Sequence, residues 1–378
     1  MENKNITKIG VNIERKRLFS GFEGEACKDS PDICVTKDKI WLTIPYIALK
    51  ESDISRKTEI SLSKDGGVTF GKRKYLPMYS YREGNMTYIF NNGHDFYSEK
   101  NDRIISLGFW VKMPDGAKEP LLNRVPAYLI RDPQTFKVIG KPQTLPFPID
   151  SPSVCPHGQP MEYDNGDILF SFYYSETVFA EKYRSVAVLY SFDGEKLTVA
   201  QAGTPIKNDN LIRGYAEPSV VKYGDKYYIT LRSDENAYLA LSDDGLNYGE
   251  PFLWKWDDGS ILGSCNTQQR WVGLRDGLYL VYTRYGVHND HVFRNRAPLF
   301  MARCDEEKKC LIKETEIVLV PELGASLASM IGFSKAGEDK AYITVAENMQ
   351  WHPDWYAWWN VAKYGSDNSI WLVKITSI

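Results

Sequence analysis

Ser63-Lys64-Asp65-Gly66-Gly67-Val68-Thr69-Phe70 closes an alternating run, Glu59 to Ser63, with a turn of defined chemistry. The aspartate accepts backbone N–H bonds, glycine takes the φ > 0 position, and the aromatic plugs the layer below, so the segment reads as a β-hairpin turn. Looser versions recur at Ser242-Asp243-Asp244-Gly245-Leu246-Asn247-Tyr248 and at Ser191-Phe192-Asp193-Gly194, each after a β-rich run. Asp-Gly turns occur in any β protein, and the Ser191 copy alone carries little weight. Three copies imply a repeated structural unit, and that decides the architecture.

Short alternating or β-branched runs lie on both sides of the turn, among them Ile40 to Ile47, Ile104 to Val111, Ile168 to Tyr174, Tyr227 to Leu231, Leu278 to Thr283 and Lys340 to Val345. A helical period is absent except for one short turn near Trp355 to Val361. The chain is all-β. The runs group into six units of about 50–60 residues, opened by Ser30 to Thr36, Met86 to Asn91, Ser153 to Tyr163, Tyr215 to Tyr223, Asn266 to Leu274 and Ser326 to Phe333, the size expected for blades of a propeller. The expected fold is a six-bladed β-propeller, a single domain over residues 1–378. The N-terminal run, Lys8 to Arg15, lacks a blade of its own. It is expected to pair beside Ile370 to Ile375 and close the ring, which removes an open edge.

Composition narrows the partners. The 378 residues carry a formal net charge of −3, which argues against a nucleic-acid binder and gives no sign of membrane attraction. Aromatic residues make up 13%, with 24 Tyr and 10 Trp, types that suit strands and also the apolar face of a sugar ring. The polar start, Met1 to Ile6, has no apolar core of a leader, so a cytoplasmic location is expected, or a secreted one if a leader was removed. Six scattered cysteines form no Cys-x-x-Cys pair, so neither a zinc site nor any cofactor is expected.

Residues at blade openers and inter-blade loops line the mouth of a propeller, and titratable groups collect there. Pro156-His157-Gly158-Gln159-Pro160 opens unit three, Arg213-Gly214-Tyr215-Ala216-Glu217 unit four, and Asn266-Thr267-Gln268-Gln269-Arg270-Trp271 unit five. His94, His157, His288 and His291 fall on such segments, and histidine is well placed for proton transfer near neutral pH. His157 between prolines also fits a hydrogen-bonded turn residue. The His288/His291 spacing permits metal ligation but is weak evidence for it, and no metal is expected. Trp254, Trp256 and Trp271 read as core plugs. Trp351, Trp355, Tyr356, Trp358 and Trp359 crowd one Pro- and His-containing loop, either folded over the mouth or mediating a homo-oligomer contact.

The turn at Ser63 and the segment Ala216-Glu217-Pro218-Ser219-Val220-Val221, followed by Gly224-Asp225-Lys226 and a strand ending in Arg232, resemble the sialidase superfamily, whose Asp-boxes have this form. The resemblance implies that Glu217 has the place of the glutamate that polarises the catalytic tyrosine and that Arg232 binds a carboxylate, with Arg294 or Arg296 as a further arginine and Asp53 near the place of the acid/base aspartate. Two positions depart from the family pattern. Asp29-Ser30-Pro31 stands where the first arginine is expected, and Gly324-Ala325-Ser326-Leu327 holds no tyrosine nucleophile.

Three functions compete. The first is a glycoside hydrolase acting on an acidic or decorated sugar of a glycan. In it Arg232, with Arg213 or Arg296, binds the anion, Asp53 or His157 is the acid, and Glu217 orients Tyr215 or Tyr282, while His291 and Gln269 complete the sugar contacts. The second is a polysaccharide lyase that eliminates at a uronic acid with His, Tyr and Arg. The third is a non-catalytic glycan-binding propeller.

Overall fold

The computed structural model describes residues 9–22, 24–50, 55–117, 121–177, 182–327, 329–335 and 337–378. Six antiparallel sheets form the blades of a propeller, and among the described residues helix is nearly absent. Blades three and four have four strands each, whereas blades one, two and five carry five. The inner strands are Asp32–Val35, Met86–Ser98, Ser153–Glu162, Ala216–Tyr223, Arg270–Leu274 and Ile331–Ser334. Each overlaps one of the six expected openers, with shifted ends in blades two and six.

The ring closes as expected. Val11–Leu18 pairs antiparallel with Ile370–Ser377, Val11 opposite Ser377 and Leu18 opposite Ile370, so the first strand is the outermost of the last blade. Blade two departs from the pattern through an added hairpin, Ser80–Glu83 on Met86–Ile89, which extends its inner strand beyond the others. The expected helical turn is present at the end of its stretch, at Trp359–Ala362.

Two of the three marked turns share one set of bonds. At the first, Ser63 Oγ donates to Asp65 Oδ1 at 2.7 Å, the Gly67 N–H donates to Ser63 Oγ at 2.9 Å, and the Thr69 N–H donates to Asp65 Oδ1 at 2.8 Å. Gly66 and Gly67 hold φ of 67° and 85°, which a side chain would strain. At the second, Ser242 Oγ donates to Asp244 Oδ1 at 2.7 Å and the Asn247 N–H donates to the same oxygen at 2.7 Å. Leu246, rather than the aromatic, is the buried plug there, and Tyr248 packs partly against the same core. The third is a plain aspartate turn: Asp193 Oδ1 accepts the N–H groups of Glu195 and Lys196 at 2.9 and 2.7 Å.

Apolar cores lie between neighbouring blades. Trp254, Trp256 and Trp271 are 1%, 5% and 0% exposed and pack with Tyr228 and Tyr282 between blades four and five, as core plugs should. Burying such a side chain stabilises the fold by about 2–3 kcal/mol. Near the axis the inner strands are tied by side chains. Trp271 Nε1 donates to the Ser219 carbonyl at 2.9 Å, and Gln159 bridges to the Trp271 backbone, accepting at 2.9 Å and donating at 3.1 Å. Gly158, at φ 88°, lets blades three and four touch, since a Cβ there would lie 2.4 Å from the Pro218 carbonyl.

Candidate active site

One end of the propeller opens into a cavity of about 320 Å³ lined by loops and strand ends of blades two to six. Glu217 opens the inner strand of blade four and Arg232 ends the strand beside it. A register shift between Ala216 and Ser219 turns the glutamate out of the ladder. Glu217 takes φ of 45°, left-handed for a residue with a side chain, and Arg232 Nη1 meets its Oε1 at 2.5 Å. Such strain persists where surrounding contacts hold it, and it gathers at functional sites.

Burial alone would push the Glu217 carboxyl up. Arg232 first, then His157 and Arg296, outweigh it and hold the group at about 2. Glu217 is therefore ionised at neutral pH and cannot serve as a proton donor there. His157 lies against its strand, Nδ1 3.5 Å from the Pro218 carbonyl, with Tyr173 edge-on at 5.9 Å. Burial, then the Arg270 guanidinium, bring its imidazole down to about 3, so it is neutral. His157 is not among the described residues lining the cavity.

The arginines converge on one residue. Arg232 and Arg213 both donate to Asn266 Oδ1, the latter at 3.2 Å, while Arg296 donates to the Asn266 carbonyl through Nε at 3.2 Å and through Nη2. Asn266 has φ of 45°, which turns its carbonyl and side chain so that both take guanidinium donors. Arg213 also grips Asp234, Nε to Oδ2 at 2.9 Å, and its guanidinium lies 5.9 Å from the Tyr183 ring. Arg294 and Arg124 complete the lining, so five arginines face two carboxylates, Glu217 and Asp234. Arg124 Nη1 donates to the Tyr173 hydroxyl at 3.0 Å. An excess of cations in a small concavity focuses a positive potential suited to an anion.

Other expected site residues lie elsewhere. Tyr215 is 1% exposed in the core between blades three and four, its hydroxyl 3.5 Å from Asn208 Nδ2; strand alternation would put it on one face with Glu217, and the register shift and left-handed backbone at Glu217 part the two. Tyr282 is buried and donates to Glu316 at 2.7 Å. Among the described residues the phenols that line the mouth are Tyr173 and Tyr183. Gln269 is fully buried, accepting from Thr230 Oγ1 at 2.9 Å and donating to the Thr267 carbonyl at 2.6 Å; its neighbour Gln268 faces the cavity instead. His291 faces Glu322 at 3.1 Å and stacks on Tyr364, outside the cavity lining. Asp53 lies outside the described residues.

Asp29, where a first arginine was expected, accepts from Ser30 Oγ at 2.6 Å and from Asn348 Nδ2 at 2.9 Å. Asn348 Oδ1 in turn receives the N–H of Gln350, which lines the mouth. Ala325 is buried. Of the aromatic loop, Trp355 reaches the cavity, held edge-on to Phe293 at 5.8 Å. Among the described residues no group of three or more His, Cys, Asp or Glu is disposed to hold a metal.

No protein-family model matches the chain, and no curated protein matches it by sequence. Its fold is shared with solved structures. A Dyadobacter fermentans protein of unknown function aligns over 97% of this chain and 99% of its own, with TM-score 0.64 and 14% identity. Trypanosoma rangeli sialidase aligns over 96% of this chain with TM-score 0.60 and 14% identity, and this chain spans 59% of that one. The chain has a sialidase-like propeller fold. A Hadza microbial sialidase gives TM-score 0.56 at 12% identity over 91% of this chain and 65% of its own. The sialidase-like propeller is thus established as architecture, with the Glu217–Arg232 pair and the Asn266-centred arginines at its open mouth. The Trypanosoma rangeli enzyme has also been solved with sialic acid bound.

Proposed function

We propose that this sialidase-like propeller is a glycoside hydrolase that binds an acidic sugar of a glycan in the arginine-lined mouth. The observation that carries the reading is the convergence of Arg232, Arg213 and Arg296 on Asn266, beside an ionised Glu217. Guanidinium groups fixed by a shared acceptor are ordered before ligand arrives, so little entropy is lost when they take a carboxylate. Arg232 and Arg296 then hold the anion, and Arg213, locked by Asp234, shapes the wall.

Glu217 acts as a fixed negative charge toward a developing oxocarbenium ion or toward the proton of a neighbouring phenol, with Tyr173 the nearest candidate in chemistry. The Tyr173 oxygen accepts a hydrogen bond from Arg124 Nη1. Asp53 is proposed as the acid that protonates the glycosidic oxygen while water adds to the anomeric carbon. The glycan partner and a cytoplasmic location belong to the same proposal.

The Arg124–Tyr173 contact also favours a second reading, elimination at a uronic acid. There an arginine neutralises the carboxylate, a tyrosinate removes the C5 proton as the C4–O bond breaks, and the tyrosine so formed returns that proton to the leaving oxygen. The two readings part at the product. Digestion of acidic oligosaccharides and of aryl glycosides of uronic and sialic acids is expected to release new reducing ends without an ultraviolet-absorbing unsaturated sugar. An unsaturated product would replace hydrolysis by elimination. Binding of the acids with no bond broken in either assay would leave a glycan-binding propeller.

A further inference from the structure

A groove of about 850 Å³ runs between blades one and two, larger than the mouth and sharing no lining residue with it. Four lysines line it: Lys64 in the Ser63 turn, Lys72 and Lys74 at the outer strand of blade one, and Lys137 at the last turn of blade two. All four are exposed. Among the described residues none of their ammonium groups has an ion-pair or hydrogen-bond partner. Asp65 also borders the groove, but its carboxylate is committed to Ser63 and Thr69. A buried cation backs them. Arg131 is 3% exposed, its Nε bonded to Ser106 Oγ at 2.7 Å and its guanidinium 4.7 Å from the centre of Phe136, which helps form an apolar floor with Trp41.

Four like charges around one concavity repel one another, and among the described residues that line it Asp65 is the one carboxylate set against them. The fitting ligand carries repeated anions along its edge and an apolar face toward the floor. A sugar ring bearing carboxylate or sulfate has both. We propose that this groove is a second binding site, for a carboxylated or sulfated glycan chain. The choice of a glycan rests on the reading of the mouth as a site for acidic sugars; the demand for a polyanion rests on the groove alone. A chain held there raises the effective concentration of its acidic units at the mouth without any new contact in the mouth itself.

Binding of polygalacturonate, dextran sulfate, uncharged dextran and a short DNA duplex to the full chain tests this at low and at physiological salt. At least one of the two anionic glycans is expected to bind, more weakly at higher salt, and dextran is not; which of them binds tells carboxylate from sulfate. Replacing Lys64, Lys72, Lys74 and Lys137 together by alanine is expected to weaken that binding at least about tenfold. Replacing all four by arginine is expected to retain it. Monomeric uronic acid binding should be unchanged in the alanine variant. Loss of that monomer binding in the wild type, with polymer binding intact, would count against the mouth and leave the groove standing. No polyanion binding, binding indifferent to the four lysines, or a duplex held as tightly as either glycan would overturn the proposal.

Discussion

Asp65 and Glu217 are both carboxylates held at about 2, and they reach that value by opposite routes. Asp65 is in water, and its own turn does the work: the Thr69 hydroxyl first, then the Thr69 N–H and Ser63. Every partner lies within four residues of it. Glu217 is largely buried, a position that resists ionisation, and it stays charged because Arg232, fifteen residues on, and Arg296, from the next blade, outweigh that resistance. The first is local chemistry that stabilises a hairpin. The second is a charge maintained by tertiary structure, and its removal should be felt far more widely.

Five substitutions sharpen that contrast. Arg232→Ala should have the largest effect, because it leaves Glu217 buried without its partner. Breaking such a pair costs about 3–5 kcal/mol, and binding of an acidic sugar should fall at least about 100-fold. Chemical denaturation and calorimetric titration read the two losses.

Glu217→Gln should come next. The folded-state value of about 2 lies below roughly 4.3 for a free glutamate, so its contribution is fully present above that pH and is lost as pH falls toward 2. The wild type should lose about 3 kcal/mol through that window in excess of the variant. Parallel acid-denaturation curves for the two proteins would refute the assignment of this charge.

Asn266→Ala should weaken acid binding about tenfold with a smaller loss of stability, since the arginines stay but lose their common acceptor. Asn266→Gly keeps the left-handed backbone and the carbonyl that holds Arg296, so it should fall between the wild type and the alanine variant. Asp65→Asn should be the mildest. A fall of a few degrees at most in Tm is expected, with binding of monomeric sugar acids at the mouth and turnover unchanged.

The same contrast explains what could be read from the sequence. Six blades, their inner strands and the closing strand were legible because turn chemistry and period-two runs are local signals. Glu217, Arg232, Arg213 and Arg296 were legible as residues at the mouth, through a motif and through their place at openers. Asn266 stood in a quoted opener, but nothing in its neighbourhood marks it as a shared acceptor. Its partners lie 30, 34 and 53 residues away, and only the ring brings them together. Tyr215 and Gln269 illustrate the converse. Each adjoins a mouth residue in sequence, and alternation along the strand sends its side chain into the core. Tyr173 was passed over because it lies inside an apolar run, Ile168–Ser175, that reads as pure core.

The central claim is that the mouth is built for an anionic sugar. The most direct test is calorimetric titration of the intact protein with glucuronic, galacturonic and N-acetylneuraminic acids, each beside its methyl ester. At least one acid is expected to bind with its ester weakened at least about tenfold, the difference a guanidinium pair makes on losing its carboxylate. Esters that bind as tightly as the acids would contradict it.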